Sequence, residues 1–180
     1  MLEYQQVLDF WFNHIPESNW FKKDPEFDND IEIQFAELHK RACTCELFDW
    51  RQSPEGRLAE IIILDQFSRN LFRDKPQAFA ADPLALALAQ EAVARGDDLK
   101  LEPKMRSFIY MPYMHSESLA IHLEAVRLFS QPGLEHNLNF EIKHKEIIER
   151  FGRYPHRNAI LARASTEQEL QYLQQPGSSF

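Results

Sequence analysis

The chain has 180 residues, of which 44% are hydrophobic and 14 are phenylalanine, a composition typical of one compact domain with a substantial core. Its net charge of −8 argues against the broad basic surface that nucleic-acid binding needs. No uncharged apolar run approaches the roughly 18 residues of a membrane span, and the first residues carry acids where a signal peptide carries Lys or Arg. We therefore expect a single domain, residues 1–180, in the cytoplasm, with no membrane and no nucleic-acid partner.

The two cysteines, Cys43 and Cys45, form a C-x-C sequence at the end of a helical stretch. Two residues apart on a helix, they point to different faces, so a disulfide between them would be strained. A metal site would need more ligands than the nearby His39 supplies. We therefore expect two reduced thiols here, and the sequence predicts neither a cofactor nor a metal site.

In the first half of the chain, short segments mark the starts of predicted helices. Residues 3–13 predict a short amphipathic helix with Val7 and Trp11 facing inward, and a loop follows it. Asp or Ser followed by Pro is typical of an N-cap followed by the first helical residue. This pattern predicts three helix starts, at Asp24-Pro25, Ser53-Pro54 and Asp82-Pro83.

The second half predicts helices with less regular boundaries. After the third of these pairs, Leu and Ala alternate as in a strand, but Ala is the best helix former and Gly96 is a natural stop. We therefore expect a helix there. Pro112 must kink or end the helix that follows Pro103, and Ser116 or Ser118 could cap the next one.

The last two helices are predicted at 137–151, where Gly152 ends the helix, and at the C-terminus. Residues 165–168, with the sequence STEQ, match a capping box for a helix that runs to residue 174. No segment offers strand periodicity or a hairpin signal. The sequence therefore predicts an all-α fold.

Residues 58–73 carry polar side chains where an ordinary buried helix is apolar. At about 100° per residue, Asp65 and Arg69 share a face and form an acid–base pair four residues apart, in the favourable order. Apolar residues cover nearly the whole circumference, so this helix should be largely buried, and a buried charged strip needs partners. The strip continues along its edge at Gln66, Asn70 and Arg73.

Two further stretches contain polar residues that their surroundings do not explain. In residues 106–117, a continuous helix would place four polar side chains on one face, with two more beside them: Arg106, Tyr110, Tyr113 and Glu117, then His115 and Ser116. In residues 144–158, His144 points inward from an apolar face. Past Gly152, polar residues crowd a short turn: Arg153, His156, Arg157 and Asn158.

Half of the arginines in the chain lie in these three stretches, at positions 69, 73, 106, 150, 153 and 157. Arg suits bidentate recognition of carboxylate or phosphate, and a cationic cluster in a protein of net charge −8 would form a distinctive anion pocket. His144, His156 and His115 could transfer protons near neutral pH. We therefore predict a pocket for a small phosphate- or carboxylate-bearing metabolite, with His144 or His156 as an acid–base group.

Three other interpretations remain open. The acids could simply neutralise arginines in buried ion pairs that fix the helix register, as Asp65 with Arg69 and Glu117 with Arg106. The protein could instead be an adaptor for protein partners, as helical arrays often are. A metal-dependent hydrolase with histidine and carboxylate ligands is the third, although HKEIIE and PHRN match no compact ligand spacing.

Several common catalytic motifs are absent from the sequence. It has no glycine-rich phosphate loop, no G-x-S-x-G elbow, no H-E-x-x-H and no C-x-x-C. With five glycines in the chain, we do not expect nucleotide binding through a backbone cradle.

The chain strongly resembles a bacterial family, the domain of unknown function 924 family, at three motifs that occur in order: LDQFSRN (64–70), RSFIYMPYMHSE (106–117) and RFGRYPHRN (150–158). FWF (10–12), WFKKDPEFD (20–28) and FAAD (79–82) also fit the family, so the resemblance covers nearly the full length. It implies about eight helices in antiparallel pairs, in a right-handed array similar to tetratricopeptide-repeat proteins. The family brings no established activity.

The resemblance also implies a set of motif residues, which are those that the sequence had already marked as unexplained. They are Asp65, Gln66, Arg69, Asn70, Arg106, Tyr110, His115, Ser116, Glu117, His144, Arg150, Gly152, Arg153, Pro155, His156, Arg157 and Asn158.

Overall fold

The computed structural model describes residues 3–178, and within this range it contains helices and connecting turns but no β-strand, which confirms the all-α prediction. None of the helices in this range combines the length and the apolar character needed to cross a membrane. The α-helices are α1 (Glu3–Asp9), α2 (Pro25–Cys43), α3 (Pro54–Ile62), α4 (Ser68–Leu71), α5 (Asp82–Ala94), α6 (Pro103–Met114), α7 (Leu119–Phe129), α8 (Glu135–Phe151) and α9 (Glu167–Leu173).

Two of the three predicted helix caps are confirmed. Asp24 accepts hydrogen bonds from the backbone of the first turn of α2, and Ser53 accepts one from Gly56 at the start of α3. The prediction of Asp82 as a cap is wrong, because α5 includes Asp82 and has Ala81 at its N-cap. The carboxylate of Asp82 binds Arg69 instead.

The central helix is continuous from α3 through α4, but it is interrupted by a π-helical segment at Ile63–Phe67. The wider π turn inserts an extra residue and so shifts every side chain beyond it around the helix axis. Residues 56–68 are all buried, which confirms the prediction that this helix lies inside the protein. Its segment with Asp65 and Gln66 is therefore surrounded by protein on all sides.

Several boundaries in the second half differ from the prediction, and α8 begins at Glu135 rather than at residue 137. Helix α6 continues through Pro112 and ends two residues later at Met114. The capping box of α9 is shifted by one residue from the predicted STEQ segment, since the two residues that bind each other's backbone are Thr166 and Glu169. Gly152 ends α8 in a left-handed conformation with φ of 69°, as predicted.

The hydrophobic core forms one large and one small cluster. In the large cluster, Trp11 lies 5.7 Å from both Phe67 and Phe108, measured between ring centres, so the π-helical segment Phe10–His14 after α1 is fixed to the central helix and to α6. Helix α6 packs against α7, and α7 packs against α8. The small cluster, centred on Tyr154 with Ile147 and Ile148, lies at the C-terminal end of α8. The right-handed order of the array stays a prediction.

Candidate functional site

The central helix, the start of α5, the end of α6 and the turn after α8 meet in one polar cluster. Asp65 Oδ1 lies 2.7 Å from His115 Nδ1. Arg69 Nη1 lies 3.2 Å from the same oxygen, and the Arg69 guanidinium binds both oxygens of Asp82 at 3.0 and 3.1 Å. Arg157 Nη1 lies 3.5 Å from Asp82, and Arg157 Nη2 donates to the backbone oxygen of His115 at 3.0 Å. We call these five residues the Arg157 cluster.

Arg157 is buried but incompletely hydrogen-bonded. Its side chain is 8% exposed, and its guanidinium carbon lies 4.5 Å from the ring centre of Phe79 and 4.6 Å from that of Tyr154. Among residues 3–178, no atom accepts a hydrogen bond from its buried Nε. An unmade hydrogen bond on a buried cation costs free energy, so Arg157 differs from a guanidinium whose donors are all paired.

Burial and neighbouring charges set the protonation states in the cluster. Burial alone would raise the pKa of Asp65, but His115 and Arg69 lower that pKa below its ordinary value. Burial, with the charge of Arg69, lowers the pKa of His115. At neutral pH we therefore expect an ionised Asp65 and a neutral His115. Burial and then Arg69 also lower the pKa of Arg157, yet a guanidinium stays charged at neutral pH.

His144 and His156, the two predicted acid–base residues, lie beside the cluster around the ring of Tyr154. Their ring centres are 5.8 and 5.6 Å from that of Tyr154, and His144 Nδ1 lies 2.7 Å from the backbone oxygen of Phe140. Burial lowers the pKa of His144 to about 3 and that of His156 to about 4. Both rings are therefore neutral near pH 7 and weak proton acceptors.

The turn after α8, together with His122 on α7, supplies the side chains that bind the carbonyl groups at the C-terminal end of α6. The last carbonyl groups of a helix have no partners within it. Here the carbonyl oxygens of residues 114–116 accept, in order, hydrogen bonds from Tyr154 Oη at 2.5 Å, Arg157 Nη2 at 3.0 Å and His122 Nε2 at 2.8 Å. In return, Glu117 accepts a hydrogen bond from the Tyr154 backbone at 2.7 Å. These bonds hold the motif at residues 106–117 against the motif at residues 150–158.

His122 and Glu141 form a buried pair that sequence reasoning missed. Their side chains are completely buried, and His122 Nδ1 lies 2.7 Å from Glu141 Oε1. Burial raises the pKa of Glu141. One feature of the sequence could have indicated that Glu141 is buried. Glu141 precedes the inward-facing His144 by three residues and so shares its face of α8.

Asn70 and Arg73 bind Asp28 on α2 rather than a member of the Arg157 cluster. Asn70 Nδ2 donates to Asp28 at 2.8 Å, and Arg73 donates from Nε and Nη2 at 2.5 and 2.6 Å. Asp28 was not predicted as a partner, since it lies on an ordinary acidic face of its helix. This group joins the central helix to α2.

Arg106 and Tyr110 form a third polar group at the start of α6. Arg106 donates to the backbone oxygens of Asp98 and Leu101 at 3.2 and 3.0 Å and to the Gln131 side chain at 2.9 Å. Tyr110 Oη donates to the Asp98 carboxylate at 2.5 Å. Arg106 is thus used to fix the loop between α5 and α6.

The predicted pairing of Glu117 with Arg106 is wrong. Glu117 binds Arg163 through both carboxylate oxygens, at 2.7 and 2.9 Å. Arg163 lay outside every motif and was not predicted; its Nε donates to Asn158 Oδ1 at 3.0 Å. The Ser116 hydroxyl accepts a hydrogen bond from the Ser118 backbone at 3.2 Å, and Ser118 is the N-cap of α7.

Arg150 and Arg153 face the C-terminal helix. Arg153 binds Glu169 through Nε and Nη2 at 2.7 and 2.8 Å, and the guanidinium of Arg150 lies over the Phe151 ring at 4.7 Å. Two open grooves of about 340 and 410 Å³ run along this side of the protein, and both are lined by Arg150 and Phe151. No member of the Arg157 cluster lines either groove.

Cys43 and Cys45 are free thiols, as predicted. In the part of the chain that the structure describes, no three His, Cys, Asp or Glu side chains are grouped closely enough to hold a metal ion.

This geometry defines a class of protein: an all-α domain in which distant motifs meet in a buried cluster of arginine, aspartate and histidine. The sequence profile of a family described as bacterial protein of unknown function, DUF924, matches residues 7–177. The chain therefore belongs to this family, which confirms the resemblance.

A solved structure of a protein of unknown function from Agrobacterium tumefaciens is similar to this chain. The two are 41% identical in sequence and superpose with a TM-score of 0.90, over 95% of this chain and 96% of that one. No functionally curated protein matches the chain.

Proposed function

We propose that this protein binds a small anionic metabolite, bearing phosphate or carboxylate, at the Arg157 cluster. The observation that carries the proposal is the incomplete hydrogen bonding of Arg157. Its guanidinium lies over the rings of Phe79 and Tyr154. Its buried Nε donates to no acceptor among the described residues, and the carboxylate oxygen of Asp82 lies 3.5 Å from Nη1. Arg is the side chain best suited to bidentate recognition of such anions.

Contrast with three other motif arginines supports this choice. Arg73 and Arg153 each make two short hydrogen bonds to one carboxylate, and Arg106 is bound by three oxygen acceptors. Those three have their hydrogen-bonding capacity largely used, so they stabilise the fold. Arg157 has capacity left for a ligand.

Thermal unfolding in the presence of small anions tests the proposal. Inorganic phosphate, sulfate and malonate would each be titrated at constant ionic strength, with chloride as the balancing salt, so that general screening is held fixed. At a hundredfold excess over Kd, a ligand specific for the folded state raises the Tm of a chain of this size by about 5 to 10 °C. We expect such a rise with at least one of these anions.

Variants locate the binding site. Arg157→Gln should abolish the rise in Tm, and Arg157→Lys, which keeps the charge but loses the planar fork, should reduce it. Arg73→Gln is the matched control, because it also removes a carboxylate-bound arginine from the central region but not from the Arg157 cluster. An equal rise in Arg157→Gln and wild type, or none in wild type, would refute the proposal.

The adaptor function is a second candidate, supported by exposed apolar residues on α7. Leu119 and Leu123 lie one helical turn apart and are 41% and 59% exposed. Affinity purification from the source cells tests this candidate. We expect a protein that binds this surface to be recovered with the wild type but not with a Leu119→Glu, Leu123→Glu double variant. A Leu99→Glu variant, which changes another exposed leucine, is the control. Cytoplasmic location also stays a prediction.

A further inference from the structure

The hydrogen bond between Asp65 and His115 fixes which nitrogen of the histidine ring carries the proton. An ionised carboxylate only accepts hydrogen bonds, so His115 Nδ1, at 2.7 Å from Asp65 Oδ1, must be the donor. In a neutral imidazole the other nitrogen, Nε2, then has a lone pair. Asp65 is itself held by the amide of Gln66 and by Arg69, and its side chain is 1% exposed.

The lone pair of His115 Nε2 is available to a ligand. Among residues 3–178, no protein atom is hydrogen-bonded to Nε2, and the side chain is 16% exposed although Asp65 below it is buried. The backbone oxygen of the same residue binds Arg157. Arg157 therefore binds the same residue whose ring Asp65 orients.

The charged and titratable groups around the ring come from four elements. Asp65 and Arg69 belong to the central helix, Asp82 to α5, and Arg157 to the turn after α8. His144 on α8 and His156 in that turn influence the ring only as neutral groups near pH 7. Burial and Arg69 favour the neutral form of His115, whereas Asp65 and Asp82 favour the imidazolium.

We infer that His115, oriented by Asp65, is the proton acceptor of this site, and that the ligand bears an acidic hydroxyl next to the anionic oxygens that bind Arg157. This inference rests on the proposed function. The proton leaves the ligand O–H and joins Nε2, so the ligand oxygen becomes negative and the ring becomes an imidazolium. The carboxylate of Asp65 stabilises the new positive charge. His115 is thus the residue that takes the ligand proton, and Asp65 is a positioning residue.

Two probes of similar shape separate proton transfer from simple anion binding. Near pH 6, inorganic phosphate is mainly an anion with an acidic hydroxyl, whereas sulfate has no acidic proton. Nitrogen-15 NMR of the wild-type histidines, with His115 assigned by loss of its signals in His115→Gln, reports the protonation of each ring nitrogen. In the free protein we expect a protonated Nδ1 and an unprotonated Nε2 on His115.

Phosphate should move the Nε2 signal of His115 toward that of an imidazolium without uptake of a proton from the buffer. A shift with sulfate would require such uptake, because a bound anion also favours the imidazolium, and calorimetry in buffers of different ionisation enthalpy measures it. In Asp65→Asn the free ring should change to the Nε2–H tautomer, because the new amide can donate to Nδ1. If that variant does not fold, the comparison of the two anions in wild type decides alone.

The other possible results show whether the inference alone or also the proposed function is wrong. A protonated Nε2 in the free protein would overturn the inference. Binding of both anions with the same effect on His115 and the same proton uptake would also overturn it, although anion binding at Arg157 would then stand. Binding of neither anion, measured in the same titration, would refute the proposed function and the inference that rests on it.

Discussion

At the scale of single residues, what distinguishes one polar side chain from another is which of its hydrogen-bond donors and acceptors have partners. The sequence marked Asp65 and Arg69 because charged groups inside an apolar helix need partners, and it marked Arg157 because polar residues crowd the short turn after Gly152. It could not identify Asp82 as the shared partner, since Asp before Pro is an ordinary helix-start signal. Nor could it separate Arg157 from the saturated Arg73, because saturation is a property of the tertiary structure.

Removing the hydroxyl of Tyr154 tests how much its hydrogen bond to the end of α6 stabilises the protein. Tyr154→Phe removes the hydrogen bond to the backbone oxygen of Met114, which would then be buried without a partner. We expect the free energy of unfolding to fall by about 1 to 3 kcal/mol, measured by urea denaturation. Tyr113→Phe is the control, because Tyr113 is equally buried but its hydroxyl bonds to no atom of the described residues.

At the scale of secondary-structure elements, regular periodicity predicted the helices but not the departures from it. The pattern of residues 58–73 assumed 100° per residue, whereas the π segment Ile63–Phe67 adds a residue within that stretch. The Asp65–Arg69 pair survived this change, since it spans a single turn. Capping was predicted best where the cap is local, as at Asp24, and least well where a residue was needed elsewhere, as at Asp82.

Helix α9 depends on Glu169, which performs two tasks at once. Glu169 closes the capping box with Thr166 and binds Arg153, and these interactions, led by the Arg153 hydrogen bond, lower its pKa from 4.5 to about 2. A carboxyl whose pKa is lowered by folding stabilises the protein fully above its unfolded pKa and loses that effect as the pH falls through the folded pKa. Its contribution should therefore be constant above about pH 5 and vanish progressively toward pH 2.

Glu169→Gln should lower the free energy of unfolding by about 2 kcal/mol at pH 7, and the difference from wild type should shrink as the pH falls below 4.5. Urea denaturation at a series of pH values measures this difference. Glu167→Gln lies in the same first turn of the helix but is exposed, so we expect a change within about 0.5 kcal/mol. A difference for Glu169→Gln that did not depend on pH would contradict the argument.

At the scale of the whole molecule, the hydrogen bonds of Tyr154, Arg157 and Glu117 at the end of α6 form a polar junction. This junction connects two hydrophobic clusters. The large cluster includes Trp11, with Trp20 and Trp50 packed against it, and the small cluster surrounds Tyr154. Composition and periodicity predicted the all-α class, because these follow from local preferences. They could not predict this division, since the junction is made by side chains whose partners lie far away in the sequence, such as Met114, 40 positions from Tyr154.

The junction makes the stability of the two clusters interdependent. All three tryptophans lie in residues 11–50, so their fluorescence reports the large cluster, whereas far-ultraviolet circular dichroism reports every helix. If the hydrogen bonds of Tyr154 and Glu117 transmit stability, both signals should give the same urea midpoint in wild type. In a Tyr154→Phe, Glu117→Gln double variant, the circular dichroism should begin to fall before the fluorescence changes.

A Lys40→Gln, Glu37→Gln double variant, which removes an exposed ion pair on α2, controls for the number of substitutions and should keep the two midpoints together. Separate midpoints in wild type would mean that the clusters unfold independently. In that case the hydrogen bonds at the end of α6 would only position Arg157 and His115, and the single domain predicted from chain length would be two units of unequal size.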